Sequence, residues 1–184
     1  PLDMEPILPG EGEVIAAKRL LTRVFTQYPR FFDVVVADAI YMEGPFFNFC
    51  REHSKHVVAV LKDNCPSLLE DARGLFSQQE PHHEWKQNKR SYRCWDEEGF
   101  TSLETVKQPL RVIHSEETET RRERVAGEWV QKESRHHWWW ATTLSQKELS
   151  AEWLVLSGHQ RWEIENCGFH QLCTHWAMNH CFKH

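Results

Sequence analysis

The fold is decided by the stretch Phe31-Phe32-Asp33-Val34-Val35-Val36-Ala37-Asp38-Ala39-Ile40-Tyr41. Its run of β-branched residues does not alternate with polar ones, and this pattern predicts a strand that is covered on both faces. Strands of this kind lie inside open, largely parallel α/β sheets. The strand ends at Asp38, and ligand and metal sites gather at the carboxyl edge of such sheets. The alternative is that Asp38 only caps the turn that follows it.

Length and composition set the broad class of the protein. The 184 residues suit a single domain with room for an inserted subdomain. They contain no apolar run long enough to cross a bilayer and no amino-terminal signal segment, so we expect a cytoplasmic protein. The first residue is Pro1 rather than Met, which suggests a piece of a longer protein. The net charge of -5 argues against a uniformly basic nucleic-acid surface.

Helical and strand patterns alternate around the opening stretch. Apolar residues at three- and four-residue steps over 11–28 predict an amphipathic helix. A second helix begins at Gly44-Pro45, residues 56–62 predict a second buried strand, and residues 65–76 a short helix. Helix, strand, helix and strand with short connections predict two parallel strands joined by a right-handed crossover.

The middle of the chain is charged, aromatic and β-prone, and it predicts an antiparallel insertion. The expected strands are Arg90–Trp95, Leu110–His114, Arg124–Gln131 and His136–Leu144, with a turn at Asp96–Gly99. A brief helix at Leu149–Leu156, a break at Gly158 and a final helix from His159 to about Cys181 are expected after them. We therefore expect a core of residues 1–76 and 145–184, with a β-rich insertion of residues 77–144 between the last core strand and the final helix.

A second candidate carboxylate lies near the end of the chain. Arg161 and Glu165 are four residues apart in the segment Arg161-Trp162-Glu163-Ile164-Glu165-Asn166, which places them on one face of a helix. The simple interpretation is a solvated ion pair. An acidic residue after a central strand and another on a late helix, with a long insertion between them, instead match a metal-dependent nuclease.

Several ordered blocks together resemble the DDE transposases of bacterial insertion sequences, over nearly the whole chain. The blocks are Pro9-Gly10-Glu11-Gly12-Glu13, Phe32-Asp33-Val34-Val35-Val36-Ala37-Asp38-Ala39 with Tyr41, Val60-Leu61-Lys62-Asp63-Asn64, Trp140-Ala141-Thr142-Thr143-Leu144, and Arg161-Trp162-Glu163-Ile164-Glu165-Asn166 with Gly168-Phe169. The resemblance implies the RNase H-like α/β fold that is also seen in retroviral integrases. Here the fold is expected to be incomplete, lacking the first strands.

The resemblance also implies which residues are functional. Asp38 matches the second aspartate of the family and Glu165 its glutamate. The first aspartate has no match, because Asp3 comes too late in the order of elements to replace it. The family signature around the glutamate has tyrosine and lysine at the positions of Gly158 and Leu172, so the phosphate contacts of those two groups are not expected here.

The implied reaction is metal-dependent DNA cleavage followed by strand transfer. Asp38 and Glu165 are expected to hold Mg²⁺, with Mn²⁺ as an alternative, because hard divalent ions prefer oxygen ligands. Arg161 is the best candidate for a phosphate contact, and Lys62 at the end of the second strand is another. Among Trp138, Trp139 and Trp140, at most one is expected to stack on a DNA base, and we predict Trp140 for this role.

The expected partners are the DNA of the transposon ends and of the target, with two copies of a full-length transposase acting together. Because the first aspartate is missing, we expect this chain to be inactive alone. The first alternative is a truncated remnant that binds DNA or a transposase without chemistry. The second is a zinc-stabilised interaction module built from histidines and cysteines near the carboxyl end, although these lack the short CxxC spacing of structural zinc sites.

Overall fold

The computed structural model describes residues 3–125, 128–163, 167 and 170–176. Its elements in chain order are α1 (Glu13–Gln27), β1 (Val34–Ala37), α2 (Gly44–Glu52), β2 (His56–Val60), α3 (Pro66–Phe76), β3 (His83–Gln87), β4 (Arg90–Phe100), β5 (Leu110–Val125), β6 (Glu128–Thr142), α4 (Ala151–Glu163) and α5 (His170–Trp176). A short 3₁₀ turn, Ala39–Tyr41, follows β1. Within these ranges, no helix has the length and apolar character needed to cross a membrane.

The strands of the described chain form one mixed sheet in the order β1-β2-β6-β5-β4-β3. β1 and β2 are parallel, with Val35 opposite Val57, which confirms the predicted parallel pair. The other neighbouring strands are antiparallel. β6 returns to the middle of the sheet, where Ala141 lies opposite Ala59 of β2. The strands of residues 77–144 therefore continue the sheet that β1 and β2 begin, and the division into a core and an insertion stays a prediction.

Two strand boundaries predicted from the sequence are wrong. The turn expected at Asp96–Gly99 lies inside β4, where Glu97 still pairs with Val112 and a register shift follows before Phe100. This irregularity includes Gly99, whose φ of 92° favours glycine. The strand expected at Arg124–Gln131 is instead divided between β5 and β6, which pair up to Val125 opposite Glu128. The residues around this turn are mostly polar on both strands, so the sequence has no apolar alternation that would show where β5 ends and β6 begins.

The two faces of the sheet carry separate apolar cores. Helices α2 and α3 pack on one face with Val57, Ala59 and Leu61. Helix α4 covers the other face, where Leu154 and Val155 pack with Val58, Val60 and Trp140. Because side chains alternate along a strand, neighbouring residues of β2 and β6 enter different cores. Burial on both faces explains why β1 and β2 read as continuous apolar runs.

Helix α4 passes through Gly158 without the break that we predicted there. A Cβ at residue 158 would lie 2.4 Å from Nε1 of Trp140, so only glycine lets the helix approach the indole this closely. The glycine is therefore required by close packing, and its freedom of backbone conformation is not used. The part of the predicted final helix that follows Glu163 falls largely outside the described residues.

The β5–β6 hairpin extends beyond the rest of the sheet. β4 pairs with β5 only as far as Arg90 opposite Glu119, whereas β5 and β6 continue to Val125 opposite Glu128. On its other side, β6 pairs with β2 only over residues 140–142. Most of β6 therefore has one open edge among the described residues.

Candidate active site at the carboxyl edge of the sheet

Asp38 occupies the position predicted for it, directly after β1. One of its carboxylate oxygens, Oδ1, accepts a hydrogen bond of 2.7 Å from the backbone N–H of Ala39 and so caps the 3₁₀ turn. The side chain is nevertheless 41% exposed. The cap uses one lone pair of one oxygen, and an ionised carboxylate has about four such sites. Capping and ligand binding by Asp38 are therefore compatible.

Two basic side chains flank the Asp38 carboxylate. Nζ of Lys62, just after β2, lies 4.0 Å from Oδ1, and Nη2 of Arg161 on α4 lies 3.8 Å from Oδ2. These distances are longer than hydrogen bonds, so both contacts are electrostatic. The Lys62 side chain is 59% exposed and that of Arg161 is 15% exposed. The structure thus brings together three of the residues singled out from the sequence.

Packing of α4 on the sheet carries Arg161 to this edge. The helix lies over β1 and β2 through its apolar residues, including Leu154 and Val155, and its last turn brings Arg161 to within 3.8 Å of Asp38. Glu165 lies outside the described residues, so its distance from Asp38 stays a prediction. A helical residue four positions after Arg161 would lie on the same face.

Sequence reasoning missed a polar contact on the neighbouring side of Asp38. The hydroxyl of Tyr41 donates a hydrogen bond of 2.7 Å to Oε1 of Glu13 in the first turn of α1. Burial raises the pKa of Tyr41 well above its usual value, and the hydrogen bond to Glu13 and the charges of Glu13 and Asp38 add to the increase. The blocks that contain Glu13 and Tyr41 were noted in the sequence, but no spacing rule joined the two residues.

The prediction that Trp140 stacks on a DNA base is corrected by its position. The residue is 1% exposed and belongs to the core beneath α4. Its indole packs against Gly158 and edge-on to His159, with ring centroids 5.3 Å apart. Neither face of a ring enclosed in this way can receive a base. Trp140 is a core residue because strand alternation turns it towards α4.

The carboxyl edge of the sheet supplies one of the ligands that a hard cation requires. Asp38 supplies exposed carboxylate oxygens, which are the ligands that Mg²⁺ prefers. Within the described ranges, however, no three His, Cys, Asp or Glu side chains converge closely enough to hold a metal ion. The histidines and cysteines of the proposed zinc module lie partly outside those ranges, so that alternative stays open.

A mixed sheet with helices on both faces and an acidic residue at its carboxyl edge is compatible with an RNase H-like DDE domain. Comparison with protein families supports this class directly. The family model described as "Transposase DDE domain" matches residues 12–184. The chain therefore belongs to the transposase DDE domain family. A comparison with curated proteins gives no match.

Proposed function

We propose that this chain supplies the catalytic edge of a DNA transposase, which cuts DNA at the ends of an insertion sequence and transfers the cut strand to a target. Membership of the transposase DDE domain family supports the proposal. The observation that carries it is the 3.8 Å contact between Arg161 and Asp38, because it joins the late helix to the end of β1. Of the two matched acidic positions, Asp38 directly follows β1, and Glu165 comes two residues after Glu163, the last described residue of α4.

In this proposal, Asp38 and Glu165 hold a divalent cation, which is Mg²⁺ or Mn²⁺. A bound divalent ion stabilises the attacking and leaving oxygens of an in-line displacement at phosphorus. Lys62 and Arg161 neutralise the charge of the phosphodiester, which otherwise repels an oxygen nucleophile. Their long contacts to Asp38 are weak enough to be exchanged for contacts to phosphate.

The chain alone is proposed to be inactive, because no residue matches the first aspartate of the family. Loss of one of three carboxylates lowers the affinity for the metal and removes one of the groups that fix its position. The active form is proposed to be a homodimer of a full-length transposase on paired DNA ends. The rival function is a remnant that binds DNA or a transposase without performing chemistry.

A nicking assay on supercoiled plasmid DNA tests the proposal. The chain is produced alone and joined at Pro1 to an amino-terminal segment that carries the first strands and first aspartate of a DDE transposase, and each form is incubated with Mg²⁺. We expect nicking only by the longer form, and we expect Asp38→Ala and Glu165→Ala each to lower its rate at least about 100-fold, as for other directly acting groups.

The control variant for this assay is Asp33→Ala, since Asp33 lies at the opposite end of β1 from Asp38, is 85% exposed and is not matched to a family carboxylate. Nicking that survives both Asp38→Ala and Glu165→Ala would refute the proposed roles. DNA binding without Mg²⁺-dependent nicking in the longer form would favour the remnant.

A further inference from the structure

A small cleft of about 190 Å³ lies beside the Asp38 edge and shares Lys62 with it. It opens where β2 ends and β6 continues, just past the backbone hydrogen bond of 2.9 Å from Leu61 to Trp139. Besides Lys62, its polar walls are Asp63, Arg73 on α3 and His137 on β6. The cleft and the proposed catalytic edge are therefore neighbouring parts of one surface.

Arg73 is held at the wall of this cleft by an aromatic ring. Its guanidinium carbon lies over the ring of Trp139, 5.8 Å from the centroid, which is a cation–π contact. The only ion pair recorded for Arg73 in the described chain is a distant one, 4.0 Å from Oδ1 of Asp63, and the Asp63 side chain is 92% exposed. With its own side chain 54% exposed, Arg73 keeps N–H donors accessible to a ligand.

His137 contributes a second oriented donor. Its Nδ1 lies 3.1 Å from Nε2 of His114, which is stacked between Trp95 and Trp139. Burial, aided by the charges of His137 and Arg73, lowers the pKa of His114 to about 4, so His114 is neutral near pH 7 and carries one ring N–H, which Nε2 can donate to Nδ1 of His137. When Nδ1 of His137 accepts this hydrogen bond, the ring proton of His137 lies on Nε2, where it can be donated to a phosphate oxygen.

The larger groove beneath the β5–β6 hairpin differs from the cleft in its charge pairing. In this groove, of about 1160 Å³, three basic residues are paired with acidic residues of the same groove. Arg90 and Arg121 both contact Glu119, at 3.3 and 2.8 Å, and Lys132 contacts Glu123 at 3.0 Å. A phosphate that enters the groove must break these pairs. In the cleft, the contacts of Lys62 and Arg73 to acidic residues of the described ranges are 4.0 Å long.

We propose that the cleft is a phosphate subsite for DNA, in which Lys62 and Arg73 contact neighbouring phosphates and His137 adds a hydrogen bond. This inference rests on the proposed function, because it assumes that DNA crosses the Asp38 edge. If the subsite is occupied, the DNA backbone crosses the protein surface from Arg161 and Asp38 over Lys62 towards α3 and β6. The hairpin groove then lies away from the phosphate path.

Binding of a fluorescein-labelled 20-base-pair DNA duplex, followed by fluorescence anisotropy over a series of KCl concentrations, tests the subsite. We expect Arg73→Ala to raise Kd about 5- to 10-fold at low salt and to reduce the slope of log K against log salt by about 0.9, since each phosphate contact releases a counterion. Arg73→Lys should retain part of the affinity, because it keeps the charge and loses the planar fork.

Two variants serve as controls for this measurement. Arg51→Ala removes an exposed arginine from the carboxyl end of α2, which precedes β2 and so lies at the amino edge of the sheet, and it should leave both Kd and slope unchanged. Asp63→Asn removes the acidic wall of the cleft and should lower Kd about 2- to 3-fold. A lower Kd for Asp63→Asn and a higher Kd for Arg73→Ala, with no change for Arg51→Ala, would distinguish a specific subsite from a general charge effect.

The outcomes separate the subsite from the proposed function. If the duplex binds and Arg73→Ala behaves like Arg51→Ala, the subsite is refuted while the proposed function stands. If Lys62→Ala and Arg161→Ala weaken binding but Arg73→Ala does not, DNA takes another path from the edge. If the unmodified chain does not bind the duplex at any salt concentration, the subsite falls together with the DNA-binding part of the proposed function.

Discussion

Two arginine–aspartate pairs in this protein contain the same groups in opposite settings. Arg111 on β5 and Asp96 on β4 are 2% and 1% exposed, and two parallel contacts of 2.7 Å join them. Arg161 and Asp38 are 15% and 41% exposed, and their closest atoms are 3.8 Å apart. The first pair is a bidentate contact enclosed by the fold. In the second pair, the Asp38 carboxylate keeps exposed oxygens for a ligand, which is expected of a binding edge.

The remaining donors of Arg111 show what the buried pair does. Its Nη1 donates to the carbonyl oxygens of Ser145 and Leu149, at 3.0 and 2.7 Å, in the connection that leads to α4. The buried pair therefore fixes where α4 begins, and α4 in turn carries Arg161 to Asp38. Stability at one pair and binding at the other are linked through one helix.

The largest expected effect comes from breaking the buried pair. Arg111→Ala leaves the Asp96 carboxylate buried without its partner and should lower the free energy of unfolding by about 3–5 kcal/mol. Urea denaturation followed by circular dichroism measures this loss. Arg161→Ala is the matched control, and equal losses for the two variants would remove the distinction between the pairs.

The next largest effect is a loss of unfolding free energy when His114 is protonated in acid. The folded protein holds the pKa of His114 at about 4, below its ordinary value of 6.5, mainly through burial. The unfolded chain therefore binds more protons between these values, and stability should fall by at most about 3 kcal/mol as the pH decreases from 6.5 to 4. Below pH 4 this group adds no further loss.

His114→Phe isolates this contribution, because phenylalanine keeps an aromatic ring between Trp95 and Trp139 and does not titrate. The difference in unfolding free energy between the two proteins should change over pH 4–6.5 and stay constant above it. A constant difference throughout that range would show that His114 is not held neutral by the fold.

A smaller effect is expected where α4 meets the sheet. Gly158→Ala places a methyl group 2.4 Å from Nε1 of Trp140 and should cost about 1–3 kcal/mol through overpacking. Gly74→Ala in α3 is the control, since a Cβ there has no atom within 4 Å and should add up to about 1 kcal/mol through helix propensity. If both variants were stabilised, Gly158 would not be a packing requirement.

The smallest effect on stability is expected at the exposed pair. Asp38→Asn should change the free energy of unfolding by less than about 1 kcal/mol, because solvent screens long contacts of this kind. The same change should nevertheless abolish Mg²⁺-dependent nicking in the longer form of the protein. A loss of several kcal/mol in urea denaturation would instead make Asp38 a structural residue.

Sequence reasoning succeeded where one physical pattern dominated. β1 and β2 were predictable because each packs against an apolar core on both faces, and the position of Asp38 follows from the end of β1. Lys62 was predictable for the same reason. The convergence of residues 38 and 165 stays a prediction, but Arg161, one turn before Glu165, does reach Asp38.

Other features depend on contacts between distant parts of the chain. Gly158 reads as a break until Trp140 is placed beside it, and Trp140 reads as a possible stacking residue until α4 covers it. The buried pair of Asp96 and Arg111 was invisible because both residues lie in charged segments that resemble solvated strands. In each case, the partner that decides the role lies at least 15 residues away.

The open edge of β6 has a consequence for how copies of this protein behave in concentrated solution. An unpaired strand edge is a template for the strands of other molecules and hence for aggregation. Exposed charged side chains interrupt this edge at Lys132, Glu133 and Arg135. We expect these residues to act as gatekeepers, since a second copy that added a strand here would have to desolvate their charges.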